Sequence, residues 1–270
     1  ILLVAGIVLG LCLLPKGPVI PQIANLQGTG TSANPYQISS QQDFQTLAEF
    51  FNNNHEASEG YYEITNDITL QNFIPIGGFG DETSFFSGNF NANGKTITIA
   101  SFDESCKGAK NLGLFAKVRN ANIENLTIEG TIISGTKNTG GVAGEAGDVS
   151  VDSCIFNAKM ISSGEYTGGI ICAITSGEKN TISNCQSNGE FQDDPTNTNP
   201  IGIALGGIVG LVDAQLDLAG GQNTAAINTS SYPYVGGISG QSTSSYAQSV
   251  DKSWNSGNIT VNYSISSYNI

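Results

Sequence analysis

Gly140-Gly141-Val142-Ala143-Gly144, Gly168-Gly169-Ile170-Ile171-Cys172, Gly206-Gly207-Ile208-Val209-Gly210 and Gly236-Gly237-Ile238-Ser239-Gly240 are four copies of one short phrase. Leu112-Gly113-Leu114-Phe115-Ala116 is an earlier, degenerate copy. Counted between equivalent glycines, the intervals from Gly113 onward are 28, 28, 38 and 30 residues. A fixed period of this length marks a stacked repeat architecture. The 38-residue interval contains Gln192-Asp193-Asp194-Pro195-Thr196-Asn197-Thr198-Asn199-Pro200, a polar insertion expected to leave the coil as a surface loop.

A second pattern keeps step with the first. Ile123-Glu124-Asn125-Leu126, Val151-Asp152-Ser153-Cys154 and Ile182-Ser183-Asn184-Cys185 occupy matching places. Val250-Asp251-Lys252-Ser253-Trp254 follows with one extra residue, and the unit Leu216 to Ala226 lacks the Asn-Cys pair. An apolar residue then recurs a few positions on: Ile132, Met160, Phe191, Ile227 and Ile259. Each unit is too short to bury its own apolar face, so neighbours stacked at a strand spacing of about 4.8 Å must complete the core. The expected fold is all-β: a right-handed parallel β-helix of roughly 30-residue coils. Paired Gly should supply the positive φ and close approach of its corners, with Asn184, Asn188 and Asn255 tolerating the same geometry.

Upstream, Phe44, Leu47, Ala48 and Phe51 fall on one face of a helix between Ser39 and Asn52, with a capping box at Ser39 to Gln42. This amphipathic helix is expected to cover the open end of the first coil and shield its edge. Tyr62 to Leu70 and Gly88 to Ile99 then read as strand, turn and strand. Ile1 to Leu14 is an unbroken apolar run of about 21 Å as a helix, short of the ~30 Å hydrocarbon core. It fits a signal-peptide core or a truncated membrane anchor. The resulting division is 1–27 for that segment and its linker, 28–110 for the cap and first coils, and 111–270 for the repeats.

The 270 residues carry a net charge of −13 with only ten basic side chains, of which Arg119 is the sole Arg. Such a surface repels phosphate backbones, so nucleic acid is not an expected partner. A membrane would be met only through the N-terminal apolar segment. Cys12, Cys106, Cys154, Cys172 and Cys185 include no C-x-x-C pair, which argues against a zinc knuckle or a thioredoxin-like site. Cys154 and Cys185 share a column, and stacked thiols are favoured over a disulfide because aligned parallel strands give poor χ3 geometry. Sequons stand at Asn125, Asn228, Asn258 and Asn262.

These residues resemble the GLUG-motif repeat family of microbial surface proteins. The likeness runs from about Gly28 to Ile259. It is carried by Asn34-Pro35-Tyr36-Gln37-Ile38 with the following helix, Tyr62-Glu63-Ile64-Thr65-Asn66-Asp67-Ile68, Pro75-Ile76-Gly77, Phe86 to Ile97, Leu112-Gly113-Leu114-Phe115 and the Gly-Gly units. The resemblance implies a β-solenoid found in adhesin-like proteins and in larger secreted proteins, including some that resemble IgA peptidases. It carries over no catalytic residues. Cys172 departs from the family, which prefers Gly there.

Other chemistry is weighed against a plainer account. Hydrolysis of a glycoside needs two carboxylates across a groove, one of them protonated. Asp193-Asp194 is the one adjacent Asp pair, and loop solvation explains it. His55 and Arg119 lie in different regions, with His55 favoured near a helix C-terminus by the dipole. Asp81 and Glu82, after a Gly-rich run, imitate a calcium repeat that does not recur. Tyr232, Tyr234, Tyr246, Tyr263 and Tyr268 could stack on sugars or fill strands. The expectation is therefore a non-enzymatic, extracellular or cell-surface solenoid, with no cofactor, metal or catalytic residues. Its partners would be surface glycans or other proteins, or further copies through its ends. A polysaccharide-active enzyme and a filament subunit are the alternatives.

Overall fold

The structure, a computed structural model, describes residues 22–53, 60–79, 83–134, 138–197 and 202–263. The chain winds into a parallel β-solenoid of about 6 turns, with one short helix near its N-terminus. Two eleven-stranded sheets and one five-stranded sheet form its walls.

Register settles the stacking. Ile132 pairs with Met160, Met160 with Phe191, Phe191 with Ile227 and Ile227 with Ile259, all in parallel. The other column runs further than the repeats alone indicated. It links Tyr36, Tyr62, Phe90, Ile123, Val151, Ile182, Leu218 and Val250 in one row of neighbours. Both columns are buried until the last described coil, where Val250 and Ile259 are exposed. Burying each such side chain contributes about 1.5–3 kcal/mol. Each coil also satisfies its backbone donors and acceptors through the coils on either side.

Two details of the repeat differ from the sequence reading. Trp254 pairs with Gln222, and Ile155 with Gln186, so Val250 to Trp254 carries no extra residue. Ser253 stands where Cys154 and Cys185 stand. Leu218-Ala219-Gly220-Gly221 likewise occupies the place of Ile182-Ser183-Asn184-Cys185. Cys154 and Cys185 are buried free thiols, as are Cys106 and Cys172. The Cys154 thiol is pushed up by its hydrogen bond with Cys185 and by burial.

Of the two purposes expected of the paired glycines, they serve close approach and not positive φ. None of the eight adopts a positive φ. What they avoid is collision. A Cβ on Gly140 would lie 2.1 Å from the Ala143 carbonyl oxygen, and one on Gly141 would lie 2.3 Å from that of Gly169 in the next coil. Left-handed backbone falls instead on Asn125, Ser153, Asn184, Gly220 and Lys252, one per coil at a single corner. Asn184 was placed there correctly. Asn188 and Asn255 were not: they extend side-chain ladders to Asn157 and Asn223.

Helix α1, Gln41–Asn53, buries Phe44, Leu47, Ala48 and Phe51 as the periodicity requires. These rings pack on Tyr62, Phe73, Phe86 and Phe90, which closes the apolar interior at this end. The cap lies one residue later than expected. Ser40 Oγ accepts from the Asp43 amide at 3.3 Å, and the Asp43 carboxylate accepts from the Ser39 amide at 2.8 Å and hydroxyl at 2.9 Å. A carboxylate at this position also meets the positive end of the helix dipole, which Gln42 cannot exploit. Ser40→Ala should lower stability by about 1 kcal/mol in a denaturant titration. Gln42→Ala, at an exposed site, should stay within about 0.5 kcal/mol. Equal effects would return the cap to the earlier position.

Candidate functional site

Two outward-facing columns meet along one flank. On the five-stranded wall Asn111, Asn138, Tyr166, Ala204 and Tyr234 stand in register. On the neighbouring wall Lys117, Glu145, Ala173, Leu211 and Gln241 do the same. They form a seam outside the main core. Cys172, Ala173 and Leu211 make a small apolar cluster of their own there, and Tyr166 packs against it.

The N-terminal part of the seam is charged. The buried Glu145 accepts from Arg119 Nη2 at 2.6 Å and Thr175 Oγ1 at 3.1 Å through Oε1, and from Asn111 Nδ2 at 3.2 Å through Oε2. Lys117 Nζ stands 3.6 Å from Oε1. Asn138 Nδ2 donates to Asn111 Oδ1 at 2.7 Å, and Arg119 Nη1 donates to the Val118 carbonyl at 3.2 Å. Gly147, in register with Arg119, leaves the space this guanidinium needs: a Cβ there would lie 2.8 Å from Nη1.

Burial raises the Glu145 pKa, but Lys117, Arg119 and the Asn111 hydrogen bond outweigh it and hold the carboxyl below its ordinary value. Glu145 is thus ionised near neutral pH, and it does not offer the protonated acid of a glycosidase pair. The arrangement ties successive coils together and leaves one net positive charge on an acidic molecule.

No family model matches the chain. An alignment of 129 positions that covers 43% of the chain is 33% identical to halomucin from Haloquadratum walsbyi. That match takes in 1% of halomucin's length, so the two share a segment and not a whole protein. Among solved structures, a candidate immunoglobulin A1 protease from Bacteroides ovatus superposes with a TM-score of 0.62 at 16% identity, over 90% of this chain and 82% of that one. A further chain named IgA1 protease has a TM-score of 0.40 at 14% identity, over 85% of this chain and 22% of its own length. At these identities the first likeness establishes the fold, and the second carries no argument. The expectation of a non-enzymatic chain is nonetheless corrected, because the solved protein that shares this fold bears an enzyme's name. The absence of a recognisable catalytic motif was too weak a basis for that expectation.

The sequence had singled out Arg119 but not Glu145, the residue that gives it a role. A signal was present: Lys117 and Glu145 are opposite charges one repeat apart. Tyr166 was also missed. Among the tyrosines that were considered, Tyr232 is buried, its hydroxyl 2.8 Å from Thr167 Oγ1, and burial pushes its pKa up. Tyr234, Tyr246 and Tyr263 are exposed, and Tyr234 alone of these joins the seam.

Asp193 and Asp194 do not converge. Asp193 accepts from Thr229 Oγ1 at 2.5 Å and from the Ser230 amide at 2.6 Å, which anchors the next coil. Asp194 accepts from the Thr196 amide at 2.8 Å and closes its own turn. They line different hollows, Asp193 beside Asn228 and Asn262, Asp194 beside Phe102 and Ile133. Among the sequons, Asn125 donates to Asn91 Oδ1 at 3.2 Å and is half-buried, whereas Asn228, Asn258 and Asn262 are exposed. Cys12, His55, Asp81, Glu82 and Tyr268, like the apolar run Ile1 to Leu14, lie outside the described residues. Among those described, no cluster of three His, Cys, Asp or Glu is placed to hold a metal, and no helix is long and apolar enough to cross a membrane.

Proposed function

We propose that the chain is a GLUG-like surface module of an extracellular protein and that it recognises glycans along the seam. The observation that carries this reading is Tyr166 packed on an apolar cluster outside the core, directly beside the amides and charges of Asn138, Asn111 and Glu145. An aromatic face beside fixed hydrogen-bonding groups suits a sugar, which offers C–H faces and hydroxyls together. Tyr234 stands two coils beyond Tyr166 in the same column, about 10 Å away at the usual strand spacing. The segment shared with halomucin supports an outside-the-cell setting, and the parallel ladder supplies a rigid platform on which such a row of side chains keeps its spacing.

Calorimetric titration with a panel of neutral and acidic oligosaccharides tests the proposal. Tyr166→Ala should weaken a positive titration at least tenfold, about 1.4 kcal/mol, with Tyr234→Ala weakening longer ligands only. No heat across the panel, or binding indifferent to both substitutions, would remove the seam from this role. The name of the solved neighbour adds one assay. Incubation with immunoglobulin A1 followed by gel analysis of its heavy chain reads proteolysis directly, and fragments formed by the pure chain would add cleavage to its function.

A further inference from the structure

We propose that a groove on the outer face of the wall carrying Tyr62, Phe90 and Ile123 binds a cationic amino-sugar chain. The inference does not depend on recognition at the seam. The groove lies further along these strands and shares no residue with it. Alternation along a strand turns the neighbours of the three buried residues outward. Tyr61, Asn89 and Asn122 thus stand in one row, and Glu63, Asn91 and Glu124 in a second beside it. The turn before Tyr36 borders these rows, held where the Gly30 carbonyl accepts from the Tyr61 amide at 2.9 Å. Together with Ser32 and Pro35 of that turn, the rows line a hollow of about 440 Å³, in the range of small-ligand sites.

The lining selects the ligand. Glu63 and Glu124 are half-buried, and neither carboxylate has a hydrogen bond or ion pair among the described residues. One rung separates them, so their strands are about 10 Å apart at the usual spacing. Asp152, the next in that row, is by contrast satisfied by Ser183, Ser153 and Asn184. Among the described residues no Lys or Arg lines the groove, so the two charges are left for a ligand to answer. Asn89 Oδ1 accepts from Asn122 Nδ2 at 2.7 Å, and Asn91 Oδ1 accepts from Asn125 Nδ2 at 3.2 Å. That orientation leaves the Nδ2 groups of Asn89 and Asn91 to donate to a ligand. The exposed Tyr61 adds a ring face, which suits both a sugar and a cation. A basic peptide is the poorer match. The floor is a sheet whose backbone groups are already paired between coils, so a peptide's amides would find no strand to join. A sugar carries its hydrogen-bonding groups on the ring, and its amino groups would answer carboxylates that repel an acidic sugar.

Calorimetric titration of the full chain with a glucosamine tetrasaccharide near pH 6, where amines are protonated, tests the proposal. The Tyr166→Ala chain is the reference, so that heat from the seam is set aside. Binding is expected in that chain, and the N-acetylated tetrasaccharide should bind at least tenfold more weakly. Glu63→Gln and Glu124→Gln, each added to the reference, should weaken the amino-sugar titration about tenfold. Both should melt no lower than the reference, because each removes a charge without a partner. A lower melt in either would show that its carboxylate already serves the fold, and would overturn the proposal. So would an absence of heat in the Tyr166→Ala chain, equal binding of the acetylated sugar, or binding indifferent to both glutamine substitutions. Spermidine is the last arm: if it binds as tightly as the tetrasaccharide, the groove reads charge alone and the sugar assignment fails.

Discussion

Glu145→Ala is expected to lower the stability of the fold by about 3 kcal/mol, the cost of leaving two mostly buried cations without their counter-ion. Arg119 and Lys117 both direct their charge at Glu145 Oε1, and Asn111 and Thr175 donate to the same carboxylate. Removing it strands four donors at once, three anchored on the preceding coil and one on the following coil. On the usual scaling, the melting midpoint should fall by roughly 6–12 °C. Glu145→Gln keeps an acceptor for Asn111 or Thr175 but loses the charge, and should fall between wild type and alanine. The groups act as one unit, so Glu145→Ala combined with Arg119→Ala should cost less than the two added separately. A loss below about 1 kcal/mol for Glu145→Ala would show that water reaches both cations freely.

The same cluster makes stability depend on acidity in a stated direction. Glu145 is held below its ordinary value of 4.5 in the folded chain, by Lys117 and Arg119 acting against burial, and titrates near that value when unfolded. Below 4.5 the unfolded chain binds a proton that the folded chain resists. The carboxylate's contribution is therefore complete above that pH and is lost as the pH falls through the depressed value. Denaturant titrations of wild type and Glu145→Gln should differ most near neutrality and converge in acid. A gap that stays constant down to about pH 3 would assign the effect to shape and not to charge.

Gly169→Ala is expected to cost about 3 kcal/mol or more. The added Cβ would lie 2.2 Å from the Gly207 carbonyl oxygen and 2.8 Å from Ser187 Oγ. The carbonyl belongs to the backbone of the next coil and is itself bonded to the Gly169 amide at 3.2 Å. It cannot turn aside without parting two rungs of the ladder. Gly94→Ala is the comparison. Its Cβ would touch nothing within 4 Å, although its φ of +71° disfavours a side chain. Strain of that kind costs about 1–2 kcal/mol. The contrast separates steric exclusion from backbone conformation as the reason for glycine. It would be lost if Gly169→Ala proved the milder change in circular-dichroism melts.

The stacking of Ile132, Met160, Phe191, Ile227 and Ile259 could be read before any coordinates, because a repeat that cannot fill its own interior must place like residues over like. The same reasoning located helix α1 and its buried face. It failed where one position served two readings. Glycine marks both left-handed turns and close approaches, and composition does not tell them apart. The column through Tyr36, Tyr62 and Phe90 was hidden for a different reason: its intervals match the period, but these units lack the Gly-Gly-aliphatic phrase that marks the repeats.

Sequence by itself determined the period, the inward-facing residues and hence the solenoid, since a coil's interior must be supplied at a fixed interval along the chain. Tertiary structure alone decided which outward residues meet. Arg119 finds Glu145, and Tyr166 finds Ala173 and Leu211, because two walls turn toward each other at a corner. The angle of that corner comes from backbone packing between coils, and no spacing between letters encodes it.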